Sequence, residues 1–236
     1  MANNPGDGRL DDTVFRDEDL SGMDFQQAEL VDAVFENCTL IGTNFRSANL
    51  AGARFDRCHL FDPDNNLAAD FNFATLTEAH FQHCDLTTVT LTHCRAYGLV
   101  LEHCQAQGSD LSRSDFTLPI GTDTGHAAFT MSHCNFAYGD LSNTYLKGCK
   151  LTDNRMVEAL LHNCLLDGAL FTGSDLSNIS GRGMSLKGAD LRGATFNNLD
   201  PREIDLDGVK ITLEQTLWLL APLGVEVDVG TDNPAG

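Results

Sequence analysis

The chain has 236 residues, of which 42% are hydrophobic, and its 34 acidic and 15 basic side chains give a formal charge of −19. This composition allows a sizeable core. The charge disfavours nucleic acid and anionic membranes as partners and favours a basic groove on another protein. The sequence shows neither a signal region nor an apolar run of membrane-spanning length. We therefore expect a cytoplasmic protein with reduced cysteines.

A repeat of five residues begins near the N-terminus. Every fifth residue from Leu10 to Leu60 is leucine or phenylalanine, in strict alternation. The frame shifts by one residue at Phe71, continues to Phe116, and resumes at Met131. Of 38 repeats, 31 carry leucine or phenylalanine at this central position. Such regularity identifies the repeat as the organising feature of the chain.

A period of five matches neither the 3.6 residues of a helix nor the 2 of a strand, and it indicates a chain that turns every five residues and coils. The residue two positions before the central one is small in most repeats, so most repeats direct one large and one small side chain inward. The repeat resembles the A-[DN]-L-x-x unit of the pentapeptide-repeat family, as in AELVD (28–32), ANLAG (48–52) and SDLSR (109–113). This resemblance implies an all-β solenoid, a right-handed quadrilateral β-helix over residues 8–211 with four repeats per coil. About nine coils would form a rod of roughly 45 Å.

All eight cysteines occupy the small inward position; they are Cys38, Cys58, Cys84, Cys94, Cys104, Cys134, Cys149 and Cys164. Four of them follow a histidine, namely His83, His93, His103 and His133. Cysteine and histidine together raise the possibility of a zinc site. In this register, however, the two side chains of each pair point in opposite directions, so we expect buried thiols beside exposed imidazoles and no metal. A disulfide between Cys84 and Cys104, one coil apart, is the alternative.

Two interruptions, 61–70 and 117–130, do not fit into the wall of a coil and are predicted to project as loops. The acidic spacing of the first is similar to a calcium loop, but Leu67 and Phe73 replace the glycine and the closing glutamate that such a loop needs. Loops on a rigid scaffold often carry recognition. Insertions without function are the alternative.

The repeat stops after residue 211. Residues 212–229 are predicted to form a helix that Thr212 caps and that Pro222, Leu223 and Gly224 end, followed by a short strand at 225–229. The end of a β-helix must be covered. We expect this segment to form a homodimer, through Leu213, Leu217, Trp218, Leu220 and Leu223; a cap within one chain is the alternative. Residues 1–7 and 230–236 are predicted to be flexible tails.

The order of these features is similar to that of the Qnr-type quinolone-resistance proteins, a pentapeptide-repeat subgroup. Local stretches are similar as well, notably HCRAYG (93–98), FTGSDLS (171–177) and LDGVKITLEQTLWLLAPLGVEV (206–227). The resemblance implies a dimeric rod that mimics DNA, binds DNA gyrase and topoisomerase IV, and relieves fluoroquinolone poisoning. The implied loop contacts are Phe61, Asp62, Asp64, Asn65 and Asn66 in the first loop, and Thr117, Leu118, Pro119, Ile120, Thr122, Asp123, Thr124 and His126 in the second.

The charge gives rough independent support for mimicry. Spread over the rod, 19 net charges amount to one per ~2.4 Å, against one per ~1.7 Å in duplex DNA. The sequence shows no catalytic constellation, so we expect no enzymatic activity and no cofactor. Two other functions are compatible with the same scaffold: a gyrase inhibitor or modulator, or a protector against another topoisomerase toxin. A passive scaffold for an unrelated protein is a further alternative.

Overall fold

The structure is a computed structural model that describes residues 9–120 and 123–227, with side chains described outside 119–125. Eleven short strands precede one α-helix, α1 (Leu213–Leu220), and a 3₁₀ turn (Ala221–Leu223). The strands are β1 (Val14–Arg16), β2 (Val34–Glu36), β3 (Arg54–Asp56), β4 (Phe61–Asp62), β5 (Leu67–Ala68), β6 (His80–Gln82), β7 (Leu99–Glu102), β8 (Thr117–Ile120), β9 (Asp123–Ala127), β10 (Phe129–Ser132) and β11 (Lys150–Thr152). Among the described residues no helix is long and apolar enough to cross a membrane.

The chain coils with a period of twenty residues, or four repeats. Seven strands form one parallel sheet in the order β1-β2-β3-β6-β7-β10-β11, in which Val14 pairs with Val34 and Val34 with Arg54. The number of residues between paired positions of successive coils exceeds twenty only where an insertion intervenes, as between Arg54 and His80. Single parallel bridges, such as Asp19 with Thr39, link the coils outside this sheet. The predicted β-solenoid is therefore confirmed.

Backbone hydrogen bonds join each coil to both of its neighbours. The Leu30 N–H donates to the Asn49 carbonyl of the following coil at 2.8 Å, and the Val34 N–H donates to the Thr13 carbonyl of the preceding coil at 2.8 Å. Most repeats turn at the second residue after the centre, where φ is positive, as at Asn37 (φ 55°). Because this conformation strains residues that have a β-carbon, the inter-coil bonds must offset its cost in every such repeat.

The central side chains stack along the rod. The ring centroids of Phe35 and Phe55 are 4.6 Å apart with planes 2° from parallel, and those of Phe55 and Phe81 are 4.4 Å apart at 3°. All three rings are buried, and each meets edge-on a ring two repeats away, on the opposite side of the coil. The interior is thus a set of continuous apolar columns, as the alternation of leucine and phenylalanine predicts.

The eight cysteines are buried and unbonded to one another, as the inward register predicts, and none forms the alternative disulfide. They are more than small apolar side chains. The Cys58 thiol donates to the Phe35 carbonyl one coil back at 3.3 Å. Ser174 and Asn154 occupy equivalent positions and donate to carbonyls at 2.7 Å. Burial raises the pKa of the Cys94 thiol to about 12, so at neutral pH this thiol stays protonated and able to donate.

The α1 helix closes the C-terminal end of the rod. Thr212 and Gln215 form a capping box, and Gly224 ends the segment with φ 70°, as predicted. Gln215 is buried, and its amide donates to the carbonyls of Leu191 and Ala194 at 2.6 and 2.7 Å. Trp218 meets Phe196 edge-on, with ring centroids 5.3 Å apart. The helix therefore supplies polar and apolar partners to the last coil.

The predicted strand at 225–229 is not formed over its described part. Residues 225–227 pair with no strand, and the Val225 N–H instead donates to the Leu220 carbonyl at 3.4 Å. Alternating apolar residues make a strand only where a neighbouring backbone offers hydrogen bonds. The described part of the chain offers none at this position.

We expect the Phe55→Ala substitution to lower the free energy of unfolding by about 3–5 kcal/mol, because it leaves a cavity between two stacked rings. Phe55→Leu keeps most of the volume and should cost less than half of that. Urea denaturation followed by circular dichroism measures both. Equal losses for the two variants would contradict the assignment of the ring to a tightly packed column.

Candidate interaction surface

The first insertion is a β-hairpin in which β4 pairs antiparallel with β5. It is shorter than the predicted loop at 61–70, because Ala69 is buried, its N–H donates to the Leu60 carbonyl at 2.9 Å, and Asp70 bridges to the next coil. Hairpin 1 is therefore 61–68.

The turn of hairpin 1 is organised by one carboxylate. Asp62 accepts hydrogen bonds from the Asp64 N–H at 2.9 Å and from the Asn65 side-chain amide at 2.6 Å. The Asn65 bond, followed by the Asp64 bond, lowers the pKa of the Asp62 carboxyl. Asp64, Asn65 and Asn66 are exposed, whereas Phe61 and Asp62 at the base are half-buried. Of the five predicted contact residues, these three are the ones most available to a partner.

Hairpin 1 rests on the preceding coil through Leu67. A β-carbon on Gly42 would stand 2.8 Å from the Leu67 side chain, and Gly42 also has φ 63°. Gly22 occupies the same position one coil earlier with φ 66°, but a β-carbon there would meet nothing within 4 Å. The glycine at 42 thus serves both the turn and the seat of the hairpin.

The second insertion is also a hairpin, in which β8 pairs antiparallel with β9 with a register shift between Leu118 and Ile120. It ends before the predicted limit of 130, because the Ala128 N–H donates to the Phe116 carbonyl at 3.0 Å and Phe129 is buried in β10. Hairpin 2 is therefore 117–127.

The predicted contact residues of hairpin 2 differ in how far they are described. Leu118 is 43% exposed, His126 is exposed, and the Thr117 hydroxyl donates to the Asp115 carboxylate at 2.6 Å. Pro119, Ile120, Asp123 and Thr124 lie on β8 and β9 by backbone alone. Thr122 lies outside the described residues.

The two hairpins leave the rod half a coil apart. Hairpin 1 follows Leu60 and hairpin 2 follows Phe116. Backbone hydrogen bonds between successive coils place Phe116 in the same column as Ala96, Leu76 and Leu50. Leu50 and Leu60 are two repeats apart in a coil of four. The hairpins therefore lie on opposite sides of the rod, so one flat surface cannot meet both.

The negative charge is unevenly placed. Eight carboxylates lie outside the coils, at Asp7, Asp62, Asp64, Asp123, Glu214, Glu226, Asp228 and Asp232, which leaves −11 on the coils. That is one charge per roughly 4 Å, less than half the density of duplex DNA. The charge is concentrated in residues 9–29, with a net −5, and in residues 58–94, with five carboxylates and no lysine or arginine. The acidic surface therefore centres on the first coil and hairpin 1.

The histidines that precede cysteines are exposed, as predicted. His83, His103 and His133 stack in successive coils with ring centroids 5.2 and 4.8 Å apart and nearly parallel planes. Their thiol neighbours are buried on the other side of the wall. Within the described ranges, no group of three His, Cys, Asp or Glu side chains is arranged to hold a metal ion.

The C-terminal segment presents an apolar surface in the single chain. Among the predicted dimer residues, Leu213 is 88% exposed, while Leu217, Trp218 and Leu223 are 39%, 37% and 41% exposed. Leu220 is half-buried. Val225 and Val227 extend the same segment and are about as exposed. Both valines belong to the segment 212–229 that is predicted to dimerise, in its half-buried strand, but they are not among the interface residues that the sequence predicts.

A twenty-residue coil with an inward leucine or phenylalanine in most repeats defines a pentapeptide-repeat β-helix. The chain belongs to the pentapeptide-repeat family: the "Pentapeptide repeat region" model matches residues 7–62, and the "Pentapeptide repeats (8 copies)" model matches 69–104, 130–168 and 164–200. Among curated proteins, none matches the sequence significantly.

Two solved structures of QnrB1, a plasmid-mediated fluoroquinolone resistance protein, resemble the chain in structure. The full-length form is 28% identical with a TM-score of 0.74, covering 90% of this chain and all of QnrB1. A trypsin-treated form is 26% identical with a TM-score of 0.81, covering 91% of this chain and all of the other. HetL of the cyanobacterium Nostoc, at 19% identity and a TM-score of 0.51 over 86% of this chain and 87% of HetL, shares the fold alone. The likeness to Qnr-type proteins is therefore confirmed.

We expect Gly42→Ala and Gly22→Ala each to lose about 1–2 kcal/mol of stability, because both place a β-carbon at positive φ. Only Gly42→Ala should also displace hairpin 1, since only there does the new methyl group meet Leu67. Amide hydrogen exchange of residues 61–68 should rise in that variant and stay unchanged in the other. Equal exchange in the two variants would show that Leu67 does not seat the hairpin.

Proposed function

We propose that this chain binds bacterial type II topoisomerases, DNA gyrase or topoisomerase IV, at the surface where they hold DNA, and protects them from fluoroquinolones. The observation that carries the proposal is the structural likeness to QnrB1, which extends over the whole of that protein and about nine-tenths of this one. The proposed role is binding rather than catalysis, without a cofactor. The four-repeat coil supports a right-handed rod of quadrilateral cross-section.

The placement of charge specifies how DNA would be imitated. The average charge of the coils is too low for the whole rod to replace a duplex. The acidic stretch at 58–94 has five carboxylates and no lysine or arginine of its own, and Arg46 of the preceding coil pairs with one of them, Asp70. Hairpin 1 projects from this stretch and carries two of these five carboxylates, Asp62 and Asp64. In our proposal, the acidic surface around hairpin 1 occupies the basic DNA groove, and hairpin 2 contacts a separate part of the enzyme from the opposite side.

Supercoiling by purified gyrase, with and without ciprofloxacin, tests the proposal. The intact chain should restore supercoiling in the presence of the drug. Replacing hairpin 2 (117–127) by two glycines should abolish rescue while circular dichroism stays unchanged, because the rod closes beneath the hairpin. A chain that at micromolar concentration neither rescues nor inhibits supercoiling would refute topoisomerase binding. Inhibition without rescue would instead identify a gyrase inhibitor.

Neutralising the acidic surface should weaken rescue. The triple variant Asp64→Asn, Glu78→Gln and Asp85→Asn removes three negative charges between 58 and 94. A matched control removes three from the second half of the rod, with Asp153→Asn, Glu158→Gln and Asp167→Asn. The first variant should need roughly tenfold more protein for half-maximal rescue, and the control less than twofold more. Equal effects would favour an interaction with overall charge over a localised one.

The proposal includes a homodimer through α1 and the residues that follow it. Leu213, Leu217 and Trp218 expose apolar surface that a second copy would cover, and residues 225–227, which pair with no strand of the described chain, offer a strand to a partner. Leu213→Asp with Leu217→Asp should give monomers in light scattering. These exposed positions are preferable to Leu220, whose half-buried side chain helps to hold the helix. A dimer that persists would place the interface elsewhere.

A further inference from the structure

On one face, the inter-coil hydrogen bonds stop before the end of the rod. On this face, the Leu161 N–H of one coil donates to the Ser180 carbonyl of the next coil at 2.7 Å, and the Asn163 N–H donates to the Arg182 carbonyl of that next coil at 3.1 Å. Continuation of this pattern would make Gly181 and Gly183 donate in the same direction, to residues 200 and 202.

That continuation fails because residues 200–204 leave the coil. Pro201 stands at a central position, and the chain there forms a turn in which the N–H groups of Glu203 and Ile204 donate to the Asp200 carbonyl at 3.0 and 3.1 Å. Within 9–120 and 123–227, neither the Gly181 N–H nor the Gly183 N–H has a hydrogen-bond acceptor. Two backbone donors therefore face the space that the missing repeat would fill.

Gly183 lines an open recess of about 610 Å³ here, together with His162, Asn163, Arg182 and Glu203, and Gly181 is the neighbour of Arg182 in the chain. Arg182 makes no ion pair with the described chain, in contrast to Arg192 and Arg202, which pair with Asp190 and Asp200. Residues 176–189 contain no carboxylate, and Lys187 in this stretch pairs with Asp207 at 3.3 Å. The recess therefore presents the guanidinium of Arg182, which has no ion-pair partner in the described chain, on a surface whose overall charge is −19.

The geometry of the recess favours an oxyanion. The N–H groups of Gly181 and of the left-handed Gly183 (φ 76°) lie on either side of Arg182 in the chain. Backbone N–H groups at such a turn, together with a guanidinium, form the type of site that binds phosphate. A β-carbon on Gly183 would stand 2.6 Å from the Asn163 amide oxygen, so a larger residue here would have to displace the Asn163 side chain. His162 adds a ring nitrogen, which lies 3.2 Å from the Ser180 hydroxyl. Glu203 is the one opposing charge on the wall.

We propose that this recess binds an oxyanion of the phosphate class. The N–H groups of Gly181 and Gly183 and the guanidinium of Arg182 donate to its oxygens, and Glu203 limits the affinity. The site is separate from both hairpins and from α1. It does not depend on topoisomerase binding.

The test titrates the full chain with inorganic phosphate and, in a second arm, with AMP, which carries the same phosphoryl group on a larger molecule. The ¹H–¹⁵N spectrum should show the amide signals of Gly181 and Gly183 moving in both arms. Tighter binding of AMP than of phosphate would indicate that the ligand is a phosphoryl group carried by a larger molecule. Equal binding of the two would indicate that the ligand is the free ion. Binding of AMP without phosphate, or unmoved glycine signals in both arms, would overturn the proposal.

Three single variants locate the site. Arg182→Gln should weaken phosphate binding by roughly tenfold or more, because it removes a charge-assisted donor. Arg192→Gln makes the same change of charge at an arginine that is paired with Asp190, and should change affinity by less than about twofold. Glu203→Gln should tighten binding by roughly threefold or more, since it removes the opposing carboxylate. Equal weakening by the two arginine variants, or weaker binding by Glu203→Gln, would reject the recess as the site.

Discussion

Every feature of this molecule depends on the hydrogen bonds between consecutive coils. Because residues twenty positions apart lie above one another, each position in the repeat becomes a column along the rod. Leucine and phenylalanine in one column build the core, cysteine in another builds a line of thiols, and histidine in a third builds a stack of rings. The same bonds must offset the positive φ that most repeats require, so the regularity of the sequence and the stability of the fold are one property.

Much of the fold could be predicted because a five-residue period has no other simple structural explanation. The inward direction of Cys84 and the outward direction of His83 both follow from counting to the nearest central residue. The ends of the hairpins did not follow. The central positions of the repeat resume at Phe71 and Met131, but the chain already rejoins the wall two residues earlier, at Ala69 and Phe129. These two residues occupy the inward position that precedes each central residue by two. A central position is easy to recognise in the sequence, whereas the first residue that rejoins the coil is defined by hydrogen bonds.

Other features depend on register across the insertions, and composition alone is a poor guide to them. The net charge suggested an even, DNA-like rod, but assigning each carboxylate to a coil gives a neutral stretch at 30–57 between two acidic ones. The placement of the hairpins on opposite sides likewise requires the column of Phe116 to be traced back to Leu50. The described part of the strand expected at 225–229, residues 225–227, is not formed for a related reason. Alternation describes the faces of a strand and does not supply the neighbouring backbone.

A regular β-helix buries or pairs its own donors and presents nearly the same surface in every coil, so specific recognition must arise where the regularity ends. In this chain it ends at hairpin 1, at hairpin 2, at the turn after Asp200, and at α1. Each departure frees groups that the columns would otherwise use: carboxylates and amides at Asp64 and Asn65, apolar surface at Leu213, and backbone N–H groups at Gly181 and Gly183. The repeats between these points hold them at fixed spacings and on fixed sides. A partner that engages more than one departure must therefore match the geometry of the rod as well as the chemistry of each contact.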